Sequence, residues 1–107
     1  MTSKTIIAPD IQTEKPALKK PPMYRVIMFD DEYTPMDFVV ALLMRYFQHD
    51  EQSATNIMMH IHQHGMGICG IYPKDIAESK VAQVEARCRQ HEYPLRCSFE
   101  QHLDEES

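Results

Sequence analysis

At 107 residues, with 43% apolar and 25% charged positions, the chain has the length of one domain and the makeup of a globular one with a modest core. Its formal charge of −5 excludes a nucleic-acid surface, which needs clustered Lys and Arg to neutralise phosphates. Cys69, Cys88 and Cys97 are odd in number and lack C-x-x-C spacing, which excludes a disulfide framework or zinc knuckle and reads as buried thiols in a reducing compartment.

Residues 1–22 hold four of the seven prolines, no glycine and no aromatic, with four lysines against two acids. Such a segment cannot bury enough apolar surface to offset its ordering and is read as a flexible arm. The folded domain is expected over residues 23–100, followed by an acidic tail, 101–107. Residues 24–29 are aromatic and apolar and read as a strand. Thr34 is placed as N-cap, with Pro35 at N1 and Asp37 near N3, a variant of the capping box. The helix it opens carries Phe38, Leu42, Leu43, Tyr46 and Phe47 at helical spacing. That helix stops near His49-Asp50, and Asp50 can cap a second one. The second helix shows Ala54, Ile57, Met58 and Ile61 on one face and ends at Gly65 in the left-handed region.

All three glycines fall in residues 65–70, read as a turn into a second strand through Ile71 and Tyr72. Pro73 opens a third helix with Ala77, Val81, Val84 and Cys88 as its buried stripe. In a last strand, Leu95, Cys97 and Phe99 alternate with Arg96 and Ser98; from Glu100 onward the chain reads as frayed. The order is β-α-α-β-α-β, an α+β domain. No apolar run approaches a membrane span and the N-terminus has no continuous h-region, so a cytoplasmic protein is expected.

Chemistry concentrates in Phe29-Asp30-Asp31-Glu32-Tyr33-Thr34-Pro35-Met36. An Asp-Asp-Glu loop is commonly just solvated. Here it follows a strand end directly, and the dipole and spare amides of a helix N-terminus lie beyond it. Those keep carboxylates ionised, as an ammonium ligand requires. A calcium loop would need more oxygen ligands and a turn glycine. His60 and His64 are i, i+4 neighbours and could share a metal, which makes a small metalloprotein the alternative from another class. Ile61 and Gln63 break the H-E-x-x-H pattern, however, and no nearby cysteine completes a tetrahedral site. The other reading of the pair is an exposed helix face. His62 borders the apolar stripe and is either a structural hydrogen-bonder or, if the fold brings it to the acids, a ligand group. Eight methionines are many for this length. Most read as core, but Met36 adjoins the acids, and methionine suits pockets that accept several apolar shapes. No nucleophile elbow, phosphate loop or paired catalytic constellation is present; neither an enzyme nor a cofactor is expected.

Pro21-Pro22-Met23-Tyr24-Arg25-Val26, Asp30-Asp31-Glu32-Tyr33-Thr34-Pro35-Met36-Asp37-Phe38-Val39, residues 65–70, Ala77-Glu78-Ser79-Lys80-Val81 and Pro94-Leu95 closely resemble the ClpS adaptor family, over roughly residues 21–100. The resemblance implies a three-stranded antiparallel sheet packed with three helices. It implies a monomeric, non-enzymatic adaptor of the N-degron pathway that binds proteins with N-terminal Leu, Phe, Tyr or Trp and delivers them to the N-terminal domain of the ClpA unfoldase. A regulator that only docks on and inhibits the unfoldase is the other reading. By position, Asp30, Asp31 and His62 match the family's α-amino contacts. Met28, Thr34, Met36, Val39, Met58, Ile61 and Leu95 match its side-chain pocket, with Met36 screening out β-branched residues. Asp75 and Lys80 match its unfoldase-docking positions, and the arm matches the segment engaged during hand-over. The family's usual run is Asn-Asp-Asp, where this chain has Asp30-Asp31-Glu32. The extra carboxylate is expected to make binding more sensitive to acid and salt.

Overall fold

Residues 21–103, which the computed structural model describes, form strand β1 (Met23–Phe29), helices α1 (Met36–Phe47) and α2 (Glu51–His64), strand β2 (Met66–Pro73), helix α3 (Lys74–Gln90) and strand β3 (Arg96–Gln101). The arm expected over residues 1–22, but for its last two residues, lies outside the described residues, as do the last four residues of the tail. Among the described residues no helix is long and apolar enough to cross a membrane.

β1 has the most consistently buried run, Val26, Ile27 and Met28, and it takes the centre of the sheet. The order is β2-β1-β3, with both neighbours antiparallel to β1. The expected three-stranded antiparallel sheet and β-α-α-β-α-β order are therefore found. Val39, Leu42, Leu43 and Phe47 of α1, Ala54, Met58 and Ile61 of α2, and Ala77, Val84 and Cys88 of α3 meet Val26, Met28, Cys69 and Cys97 of the sheet in one core. Phe38 and Tyr93 pack against this core, their rings 4.7 Å apart in an edge-to-face contact. Lys80 stitches α3 to α1: its ammonium donates to the Tyr46 carbonyl at 2.6 Å, satisfying one of the unpaired acceptors at that helix end. Burial pushes the Cys97 thiol up to about 12 and the Cys88 thiol up to about 11, and raises that of Cys69 as well. At neutral pH all three stay protonated packing groups.

Local signals at α2 hold. Asp50 accepts from the Ser53 amide at 2.8 Å, and Gly65 closes the helix at φ 91°. Three expectations need correction. The glycine cluster is not a turn: Gly65 alone turns the chain, and β2 starts at Met66. Gly67 lies under α2, where a Cβ would stand 2.8 Å from Ile61 Cγ1, and a Cβ on Gly70 would collide with the Tyr72 ring. The strand tolerates these glycines because other groups occupy the space. Cys69 is the extra residue of a β-bulge, since Val26 pairs Gly70 and Ile27 pairs Ile68. The His49 ring N–H holds this bulge by donating to the Cys69 carbonyl at 2.7 Å.

Second, the chain is not frayed from Glu100. β3 runs to Gln101, Arg25 pairs with Glu100 at 2.5 Å, and the His102 amide donates to the Met23 carbonyl. The sheet edge extends past the boundary expected at residue 100 because Tyr24 pairs Gln101. Third, Thr34 does not cap α1. Pro35 occupies the cap position, and its carbonyl accepts from the Phe38 and Val39 amides.

Gly67→Ala is expected to destabilise the domain by about 1–3 kcal/mol, the usual cost of overpacking. Ile61 and His60 must retreat, lifting α2 from β2. Urea denaturation followed by circular dichroism measures this, and an unchanged midpoint would show that the α2–β2 contact is loose.

Candidate functional site

The acidic loop owes its shape to Asp31. One carboxylate oxygen accepts from the Tyr33 and Thr34 amides at 2.7 and 2.8 Å, and the other accepts from the Thr34 hydroxyl at 2.8 Å. This local carboxylate competes for the groups that a capping threonine would use, which is why Thr34 faces back into the loop. Thr34 is buried there, the one buried polar residue among those described.

Asp30 is held differently. Its amide donates to the Gly65 carbonyl at 2.9 Å, clipping the end of β1 to the left-handed end of α2. His62 sits within one turn of that clip, and its Nδ1 lies 3.7 Å from an Asp30 carboxylate oxygen, with both side chains partly exposed. That separation exceeds a direct hydrogen bond. A shared donor nitrogen can sit about 2.8 Å from each, the distance of a charge-assisted bond.

Beside these groups opens a cavity of about 260 Å³, below the range for drug-sized ligands and suited to a single side chain. Val39 of α1, Met58 and Ile61 of α2, and Leu95 before β3 give it apolar walls, all nearly or fully buried. Asp30, Asp31, Thr34 and His62 line it as well. Met36 lies on the solvent side, 45% exposed, as a side chain at an entrance would be. The fold therefore brings together nine of the ten residues named for the amine and side-chain contacts. Met28 is the exception: it is fully buried in the core and not part of the lining. Glu32, Tyr33 and Pro35 also line the cavity. None of the three is expected at a contact, and their place in the same loop as the acids is the signal in the sequence that points to them.

The two docking candidates stand on α3. Asp75 is exposed in its first turn. Lys80 is half-buried and already serves the end of α1, its ammonium also 5.5 Å from the Tyr72 ring centre. His60 and His64 are exposed with ring centres 4.2 Å apart. Among the described residues no group of three or more His, Cys, Asp or Glu is placed to hold a metal, so the pair has no third donor there.

Comparison with known proteins covers this whole region. The family model described as "ATP-dependent Clp protease adaptor protein ClpS" matches residues 19–98. An ATP-dependent Clp protease adapter protein ClpS from Phenylobacterium zucineum is 50% identical over 90 residues, spanning 84% of this chain and 83% of the relative. Another from Aromatoleum aromaticum is 46% identical over 91 residues, spanning 85% and 89%. Among solved structures, Agrobacterium tumefaciens ClpS2 bound to L-phenylalaninamide superposes with a TM-score of 0.75 at 29% identity, covering 78% of this chain and all of that one.

Proposed function

The chain belongs to the ClpS family of Clp protease adaptors, and from that premise we propose that it binds proteins through a free N-terminal Leu, Phe, Tyr or Trp. It then hands them to the ClpA unfoldase of the ClpAP protease and performs no chemistry itself. The observation that carries this reading is the juxtaposition of an Asp30–His62 gap sized for a shared ammonium with an apolar cavity sized for one side chain. L-phenylalaninamide, the ligand of the related ClpS2, offers the same two groups on one carbon.

Selectivity follows from demanding both. A bulky internal residue has the side chain without the ammonium, so intact proteins are ignored. Asp31 spends most of its acceptor capacity on the loop, which leaves Asp30 as the principal charge partner and Asp31 as its support. Met36 at the entrance disfavours side chains branched at Cβ. Asp75 and Lys80 are assigned to unfoldase docking, and the arm to hand-over.

Burying one large apolar side chain contributes about 1.5–3 kcal/mol, and each charge-assisted hydrogen bond adds about 1.5–3 kcal/mol. After the association cost, affinity falls near about 1 µM. Isothermal titration with a Leu-initiated peptide is the test, and no measurable binding at millimolar peptide overturns the reading. In a ClpAP degradation assay, an N-terminal-Leu reporter should be degraded faster when the protein is added. Inhibition alone would favour a docking regulator instead.

A further inference from the structure

The seam between α1 and α2 does not close flush. It leaves a second groove along the two helices, lined by Met36, Met44 and Met58, with Asp37 and Glu51 as its only charged residues. Met36 and Met58 also line the terminal-residue cavity, so the two depressions share a wall. From Met36 to Met44 the groove follows α1 for about 12 Å, eight residues of helical rise. Met36 and Met44 leave 45% and 41% of their surfaces open to solvent, although apolar side chains in a helical hairpin gain by closing over one another. Among the described residues, neither Asp37 nor Glu51 takes part in an ion pair.

An occupant must match both the methionines and the carboxylates. A wholly apolar one would desolvate the carboxylates without replacing their water. An acidic one would be repelled by them and by Asp30, Asp31 and Glu32 next door. Lysine and arginine fit, since their aliphatic stems lie along apolar surface while the charge stays at its edge. In an extended peptide, the first and third residues project to the same side about 7 Å apart, and the second groove adjoins the first on the far side of Met36 and Met58.

We propose that the α1–α2 groove is a second subsite for the same peptide, accepting a Lys or Arg at the third residue of the substrate. This rests on the N-terminal recognition argued above and narrows its substrate class: a bulky apolar first residue, then a long cation two places on. The energy of such a half-exposed contact is modest, so it grades substrates that the first cavity has already admitted.

Titration calorimetry with peptides beginning Leu-Ala-Lys, Leu-Ala-Ala and Leu-Ala-Glu tests it. The Lys peptide should bind about threefold to tenfold more tightly than the Glu peptide, and the preference should vanish when Lys and Glu are moved to the second residue. In the double variant Asp37→Asn/Glu51→Gln, the Lys-to-Glu ratio should collapse towards one when each is scaled to that variant's Leu-Ala-Ala affinity. Thr55→Lys, which puts a cation into the groove itself, should lower the same ratio from the opposite direction. A ratio near one in the unaltered protein overturns the subsite while leaving N-terminal recognition intact. A ratio that survives both variants assigns the preference to the overall field of the acidic protein and overturns the subsite as well. Failure of Leu-Ala-Ala to bind at all strikes the N-terminal reading first and this one with it. A peptide-free dimer in sedimentation, dispersed by Thr55→Lys, would give the groove to a second copy of the chain.

Discussion

Acetylating the N-terminus of a Leu-initiated peptide is expected to weaken its binding at least a hundredfold. Acetylation removes the charge and turns an ammonium with three donors into an amide with one. The gap between the Asp30 carboxylate and His62 Nδ1, 3.7 Å wide, then has no cation to fill it. Two charge-assisted hydrogen bonds at about 1.5–3 kcal/mol each give about 3–6 kcal/mol, and about 2.8 kcal/mol already corresponds to a hundredfold. The acetyl group must also fit where Asp30, Asp31 and Glu32 crowd the cavity. Titration calorimetry with the free and blocked peptides measures the difference directly. If both bind alike, the cavity is a general apolar site and the N-terminal reading fails.

Asp31→Ala is expected to cost about 2–4 kcal/mol of stability and most of the peptide affinity. The substitution strips the acceptor from two amides and one hydroxyl. Tyr33 is exposed and its amide can turn to water. Thr34 is buried, so its amide and hydroxyl are left short of partners, at about 1–3 kcal/mol each. Asp31→Asn separates the two roles of the residue. Its amide oxygen can still take both backbone bonds, and its NH₂ can meet a Thr34 hydroxyl turned to accept. Stability should therefore return to within about 1 kcal/mol of the unaltered protein, as expected when a hydrogen bond is exchanged rather than lost. Urea denaturation and peptide titration on both variants give the answer. Should Asp31→Ala prove as stable as the unaltered chain, the loop is held by something other than this carboxylate. If Asp31→Asn folds normally and binds near normally, Asp30 carries the ammonium alone. If it folds normally but fails to bind, the charge of Asp31 is itself part of the site.

The local contest around Thr34 shows how far neighbouring residues determine structure on their own. Thr-Pro-x-Asp has the spacing that makes Thr34 an expected helix cap. The spacing was sound, but Asp31 lies three residues upstream and offers both oxygens to the same residue, so a turn formed where a cap was expected. Both alternatives are local and close in energy, and pattern alone does not rank them. At Asp50 no such competitor exists, and the cap formed as read. Gly67 and Gly70 depart from the expected turn for another reason. Glycine signals a turn through its backbone freedom, yet here it marks close approach by Ile61 and Tyr72, and nothing in the neighbouring residues announces that.

Element order, the left-handed stop at Gly65 and most of each helix's buried stripe were legible in the chain, because periodicity and glycine chemistry act within about one helical turn; Phe38, Tyr46, Ile57 and Val81 are only partly buried, and Val39 takes the buried place beside Phe38. The acids, too, stood out by their place between a strand and a helix. The pairing of Asp30 with His62 was not available locally, since the two lie thirty-two residues apart; resemblance to a family proposed it. The fold makes it through one long-range bond, from the Asp30 amide to the Gly65 carbonyl, and through the packing of α2 on β2 over a residue with no side chain. The cavity is likewise a property of assembly. It is the space left where α1, α2, the acidic loop and Leu95 meet, and its size depends on how side chains from four segments fill volume together.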